Sequence, residues 1–370
     1  MSLENEINKH STTVSTDSYS MSVGELVSMY RDGELDLHPE FQRFFRWTDE
    51  QKSKFIESLL LGIPIPPIFV SERNDAKWDV IDGLQRLSTI LQVMGELRNE
   101  DNEPLPPLEL TRTRYLPSLE GKKWTAENSE QELPESARIK IKRARLDVNI
   151  VKSTSDEIAK YEIFQRLNTG GTKATDQEVR NCILIMNNRE FYQWIRTLGE
   201  YENFRNCIII SDRAVEEAFD LELVTRFIVL TTCNESDLSR ITELGSFLTD
   251  ELVNRAIKSD FEVETLDRVF KQTFDFLADS LEQNSFRRYD SRKKKYVGGT
   301  LISLFEIVAI GIGHRLLEGR EVPSKEIFLS KHQSLWEDDR LSDFIGSGVR
   351  ASTRLPRTVA FGRRWLEECR

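Results

Sequence analysis

Val80-Ile81-Asp82-Gly83-Leu84-Gln85-Arg86 reads as the end of a strand, a glycine turn and the first turn of a helix. Glycine permits the tight turn and lets a ligand come close to the backbone. A helix that starts there presents its unpaired N–H groups and positive dipole end, which together make an anion site. Arg86 lies in that first turn, where a guanidinium clamps a phosphate at two points. Asp82 is placed to hold a magnesium ion or to cap the helix. The helix pattern runs from Leu84 to about Arg98, with Leu87, Leu91 and Met94 as an apolar stripe and Gln85, Ser88, Gln92 and Glu96 as a polar one. Arg86 aligns instead with Ile90, Val93 and Leu97. An arginine at the head of an apolar face needs a buried or a bound partner. An Asp N-cap, a turn glycine and an arginine salt-bridged for structure fit the same residues equally well.

Upstream, Val23, Leu26, Val27 and Tyr30 have helical spacing, and Leu37–Trp47 is an extended aromatic segment. Thr48-Asp49-Glu50-Gln51 is a capping box opening a helix that carries Phe55, Ile56, Leu59 and Leu60 and stops at Gly62. The prolines of Ile63–Val70 leave Ile68-Phe69-Val70 as a strand near a sheet edge, followed by the strand Trp78–Ile81. Residues 99–135 hold five of the eleven prolines and read as a long loop or insertion. Ala137–Val151 alternates, with Arg138, Lys140, Lys142 and Arg145 on one side, and is expected to form one or two strands with a basic face. From about Ser155 the texture is helical, interrupted by Asn168-Thr169-Gly170-Gly171 and resumed by a helix capped by Thr175 with Glu178 three residues on. The expected organisation is a disordered leader over 1–20, a mixed α/β domain over 21–154 with an insertion near 99–135, and a helical domain over 155–370. The fold class is α+β.

Composition removes several function classes. With 39% hydrophobic and 31% charged residues the chain is ordinary for a globular protein, and no apolar run approaches the ~18 residues that would span a bilayer. The polar N-terminus has no apolar signal core, so a cytoplasmic location is expected. Four scattered cysteines without a C-x-x-C pair argue against a zinc site or a disulfide framework, and four histidines are too few for a histidine-rich nuclease or protease. The net charge of −11 repels phosphate overall, so nucleic acid would be met only through a local basic patch.

Three further segments carry candidate chemistry. Arg166–Lys173 is a glycine-rich loop whose N–H groups can form an anion nest, although it lacks the Walker spacing; a glycine-terminated helix and a turn is its plain alternative. Phe41-Gln42-Arg43-Phe44-Phe45-Arg46-Trp47 interleaves bases and aromatics, as base stacking with phosphate contact requires and as an aromatic core strand also would. The clusters Arg287–Lys295 and Arg350–Arg364 are candidate DNA contacts or solvated charge.

Taken in order, FQR…W, LLLGIPIPPIFV, VIDGLQRLST and FQRLNTGGTKATDQEVRN resemble the domain-of-unknown-function 262 family, the GmrS-type N-terminal domain of type IV restriction systems, itself similar to ParB and sulfiredoxin domains. The resemblance covers roughly 21–190. It implies a ParB-like α/β fold with a helical extension, nucleoside triphosphate binding and hydrolysis with Mg²⁺, and a role in prokaryotic DNA defence. By that resemblance the binding residues fall on Gln42, Arg43, Gly83, Gln85, Asn168, Thr169, Gly170, Gly171 and Arg180. Asp82, Arg86 and Glu178 take catalytic roles, and Asp82 also holds the metal. Leu84 stands where the family has Gln, which removes one polar contact from the part that serves hydrolysis. No His-Asn-His nuclease pattern surrounds His314 or His332, so a separate nuclease or effector subunit is the expected partner. A non-catalytic DNA-binding module and a ParB-like metal-dependent nuclease are the alternatives.

Overall fold

A computed structural model describes residues 3–4, 15–37, 47–99, 101–154, 175–258, 261–338 and 350–366. The chain separates into two compact units, Met1–Ala174 and Thr175–Arg370.

The first unit is built on a five-stranded mixed sheet. Along the chain come β1 (Thr16–Ser22), α1 (Val23–Arg31), β2 (Leu35–Asp36), α2 (Asp49–Leu61), β3 (Ile68–Glu72), β4 (Trp78–Asp82), α3 (Leu84–Met94), α4 (Glu135–Arg143) and β5 (Arg145–Val151). The strand order is β1-β5-β3-β4-β2. β1 runs antiparallel to β5, β5 parallel to β3, β3 antiparallel to β4 and β4 parallel to β2. Ile68, Val70, Val80, Leu146, Val148 and Ile150 alternate toward one buried face, where Ile56, Leu59, Leu87, Ile90, Leu91 and Val93 from α2 and α3 cover them.

Both ends of α2 follow from local signals. Thr48 and Gln51 form the reciprocal capping box, and Gly62 ends α2 in the left-handed region at φ 71°.

Several expectations change. Thr16–Ser20, assigned to a disordered leader, belong with Met21 and Ser22 to the edge strand β1, with Thr16 opposite Val151. β3 lies in the middle of the sheet instead of near an edge, because Pro64, Pro66 and Pro67 precede it and every residue from Ile68 to Glu72 keeps its N–H for the ladder. α3 ends at Met94 and not near Arg98, since Gly95 takes a left-handed cap and turns its N–H back to Gln92 and Leu91. Ser88, placed on a polar stripe, is fully buried. Glu135–Arg143 is a helix where a strand was expected; only Ile141 is buried on it, and the strand begins at Arg145. The 99–135 segment is not a loose insertion. Leu108, Leu110, Leu119, Trp124 and Leu133 plug it into the core, and the buried Glu57 carboxylate accepts from the N–H groups of Tyr115 (2.8 Å) and Leu116 (2.9 Å).

The second unit is mainly helical: α5 (Asp176–Asn187), α6 (Arg189–Gly199), α7 (Glu202–Cys207), α8 (Asp212–Glu216), α9 (Phe219–Thr232), α10 (Glu235–Leu238), α11 (Leu244–Ile257), α12 (Val263–Leu281), α13 (Ile302–Leu304), α14 (Ile310–Leu317), α15 (Lys325–Ser334) and α16 (Ala351–Trp365). A π-helical turn, Phe305–Ala309, joins α13 to α14. One short hairpin, β6 (Arg288–Asp290) and β7 (Lys295–Val297), interrupts the helices. Phe204, Phe227, Phe270, Phe274 and Phe305 pack ring on ring in the centre at centroid distances of 4.5–6.3 Å. Gly311 and Gly362 let α14 and α16 touch: a Cβ on Gly311 would fall 2.4 Å from the Gly362 carbonyl oxygen.

Candidate functional site

The strand-turn-helix junction forms as the sequence reading expects, and its details explain the placement of each side chain. Between Phe69 and Val70 the β3–β4 register steps by one residue, leaving Ile81 as an extra residue on β4 directly before Asp82. A bulge re-aims the side chains that follow it. Gly83 then takes φ 100°, and a Cβ there would meet Ile68 Cγ1 at 2.9 Å. A larger residue here would have to displace the Ile68 side chain and hold an unfavourable left-handed φ. Gly83 is also the N-cap of α3, and no side chain caps it. Asp82 therefore does not cap the helix, one of the two structural roles the sequence allowed it.

The Asp82 carboxylate accepts from Arg86 Nη2 at 2.8 Å. Arg86 Nη1 donates to the Pro66 carbonyl oxygen and, at 3.2 Å, to that of Pro67. The arginine at the head of the apolar face thus has internal partners. Its own side chain is 11% exposed, whereas that of Asp82 is 38% exposed. The two ends of the guanidinium differ in consequence: one is tied to main-chain oxygens, the other to a carboxylate that water reaches.

Gln85 joins a second motif to this turn. Its Oε1 accepts from the Trp47 N–H at 3.3 Å, and the Trp47 ring packs on Phe55 at 5.6 Å. The tryptophan of the FQR…W segment therefore lies against the first turn of α3. Leu84 is partly buried against the core. Gln42, Arg43, Asn168, Thr169, Gly170 and Gly171 lie outside the described residues.

Glu178 and Arg180 belong to the second unit. Glu178, 2% exposed, accepts from the Thr175 N–H at 2.6 Å and receives the Thr175 side chain on its own N–H, completing a capping box. Arg180, 1% exposed, donates to Thr249 Oγ1 (3.1 Å), the Gly245 carbonyl (3.2 Å) and Gln177 Oε1. These contacts tie Glu178 to its own N-cap and Arg180 to α11 within the second unit.

The C-terminal arginine cluster also turns partly inward. Arg354 binds the fully buried Glu306, and Arg363 donates to the carbonyls of Leu230 (2.8 Å) and Cys233 (2.7 Å) at the end of α9. Those two are withdrawn from any DNA surface, whereas Arg350, Arg357 and Arg364 are exposed. Sequence reasoning missed the Pro66 and Pro67 carbonyls and the Ile81 bulge. The IPIPP run was a visible signal for the first, since a residue before proline is held extended and cannot bury its carbonyl in a helix.

Fold and junction define an α+β domain with an uncapped helix start beside an arginine–aspartate pair. Residues 23–185 match the family model of the GmrSD restriction endonuclease N-terminal domain. No curated protein and no solved structure matches the chain. Among the described residues no group of three or more His, Cys, Asp or Glu could hold a metal ion, and no helix is long and apolar enough to cross a membrane.

Proposed function

We propose that the chain is the nucleoside-triphosphate-binding component of a DNA restriction system and that the Asp82–Arg86 turn receives the phosphates. The supporting observation is the asymmetric guanidinium. Nη1 is fixed by two main-chain oxygens, so the group is already positioned, while Nη2 is held by a solvent-accessible carboxylate that a phosphate oxygen replaces with better charge and geometry. The N–H groups of the first turn of α3 give the phosphates a place beside it. The residues fit a magnesium nucleotide in the usual way for that ion: one carboxylate, Asp82, with phosphate oxygens and water supplying the remaining ligands.

When bound, the Mg²⁺ and the phosphates supply the charge balance and the bond to be cleaved. The chain contributes position: Arg86 exchanges Asp82 for phosphate, Asp82 is freed toward the cation, and Gln85 keeps Trp47 over the turn. Hydrolysis belongs to the same proposal, and DNA cleavage falls to a separate partner subunit. His332 is fully buried, with Nε2 on the Ser285 carbonyl, and is not available for nuclease chemistry.

Fluorescent-nucleotide titration and phosphate release test this reading. Arg86→Ala is expected to weaken binding by tenfold or more and to abolish release. Asp82→Asn is expected to bind the Mg²⁺-free nucleotide at least as tightly as the parent, because Nη2 is no longer neutralised, and to lose the gain that Mg²⁺ brings. An Arg86→Ala chain that binds and hydrolyses like the parent refutes the site.

A further inference from the structure

The hairpin β6–β7 lies outside residues 23–185 and has no part in the nucleotide reading. Between Arg287 and Lys295 stand six cations and one carboxylate, Asp290, in a chain whose net charge is −11. The two arginines at the base are committed: Arg287 Nε donates to the Gly298 carbonyl at 2.7 Å, and Arg288 lies over the Trp336 ring at 5.3 Å. The four at the tip, Arg292, Lys293, Lys294 and Lys295, are all exposed. Only Lys293 approaches the carboxylate, with Nζ 3.8 Å from Asp290 and its side chain 65% exposed.

The tip is preorganised. Asp290 Oδ1 accepts from the N–H groups of Arg292 (3.1 Å) and Lys293 (3.0 Å), closing the turn. The base is pinned by the Tyr289–Tyr296 ring pair at 5.1 Å and by the Tyr296 hydroxyl 3.4 Å from His332 Nδ1. Lys294 has φ +48°, a conformation that glycine or asparagine adopts at little cost and lysine does not. A turn chosen for folding alone would not carry lysine there; what the lysine adds is charge.

We propose that this tip is a contact element for the phosphate backbone of duplex DNA. A two-stranded ribbon has the width of the major groove. Its tip presents cations and no side chain suited to reading base edges or inserting between bases, so the contact positions without specifying sequence. A protein partner fits less well, since the buried centre of protein interfaces is depleted of lysine, and the tip has no apolar side chain to enter a membrane.

The experiment is fluorescence anisotropy of a labelled duplex with the full chain across a potassium chloride series. The slope of log affinity against log salt counts phosphate contacts at about −0.9 each. Replacing Arg292, Lys293, Lys294 and Lys295 together by alanine is expected to lower affinity at least tenfold and flatten the slope by about 3.6, with the circular dichroism spectrum retained. Lys294→Gly relaxes the turn, and is expected to leave the chain folded while flattening the slope by about one. The proposal is overturned by a quadruple variant with parental affinity and slope. It is equally overturned by a parent chain that ignores duplex DNA and binds polyglutamate through these residues.

Discussion

Two arginine–carboxylate sites in this molecule use the same chemistry under opposite conditions. In the second unit Glu306, fully buried in the π-helical turn, accepts from Arg226 (3.1 Å), from Arg354 (2.8 and 2.9 Å) and from Thr358 Oγ1 (2.9 Å). Arg226 is shared with Glu222 at 2.5 Å, and its side chain is 7% exposed. In the first unit Asp82 holds one end of Arg86 and is 38% exposed. A carboxylate that has three donors and no water is permanent, because removing it strands the cations. One that has a single donor and open solvent is exchangeable, because water or a phosphate substitutes at little cost. Burial, and not the identity of the pair, separates a structural ion cluster from a candidate ligand site.

The largest expected effect tests the permanent half of this contrast. Glu306→Ala is expected to cost about 3–5 kcal/mol, since Arg354 loses its counter-charge and the buried Arg226 is left with Glu222 alone, whereas Asp82→Ala is expected to cost under about 1 kcal/mol. Denaturant titration of both variants measures the difference, and equal losses would break the comparison.

A second polar group of the helical unit sharpens it. Burial pushes the His332 imidazole down to about 4, with its contact to the Ser285 carbonyl offsetting a part. Folded His332 stays neutral while the unfolded chain takes up a proton below the usual value near 6.5. Its share of stability is therefore intact above pH 6.5 and falls by about 3 kcal/mol as the pH drops toward 4. His332→Gln keeps a donor for Ser285 and does not titrate, so the stability gap between variant and parent is expected to shift by that amount across the window. A pH-independent gap would show that the imidazole is not held neutral.

The smallest effect concerns the turn. Gly83→Ala is expected to cost about 2 kcal/mol, from a strained φ and from the 2.9 Å approach to Ile68, and to weaken nucleotide binding beyond the effect on stability.

The elements that could be read in advance depend on neighbours within four residues. Both capping boxes, the Gly62 stop and the Asp82-Gly83 junction follow from side chains that bond their own backbone or free it to turn. The helix Glu135–Arg143 was misread because alternating lysines and isoleucines mimic a strand period, and only packing revealed that Ile141 alone is buried. Likewise the central position of β3 and the pairing of Thr16–Ser22 with β5 depend on partners some eighty and one hundred and thirty residues away.

The candidate site divides along the same line. From residue order alone came the glycine turn, the arginine one helical turn beyond the aspartate, and the demand that this arginine find a partner. Which partner it found required the folded chain. The Pro66 and Pro67 carbonyls reach Arg86 only because the β3–β4 pairing, with its extra residue at Ile81, brings the proline run beside the helix start. Glu306 is the extreme case, its partners drawn from positions 226, 354 and 358. Hydrogen bonds and ion pairs are short-ranged, so sequence reports them only where the partners are neighbours in the chain; elsewhere topology chooses the partner, and the burial it imposes determines whether the pair can be exchanged.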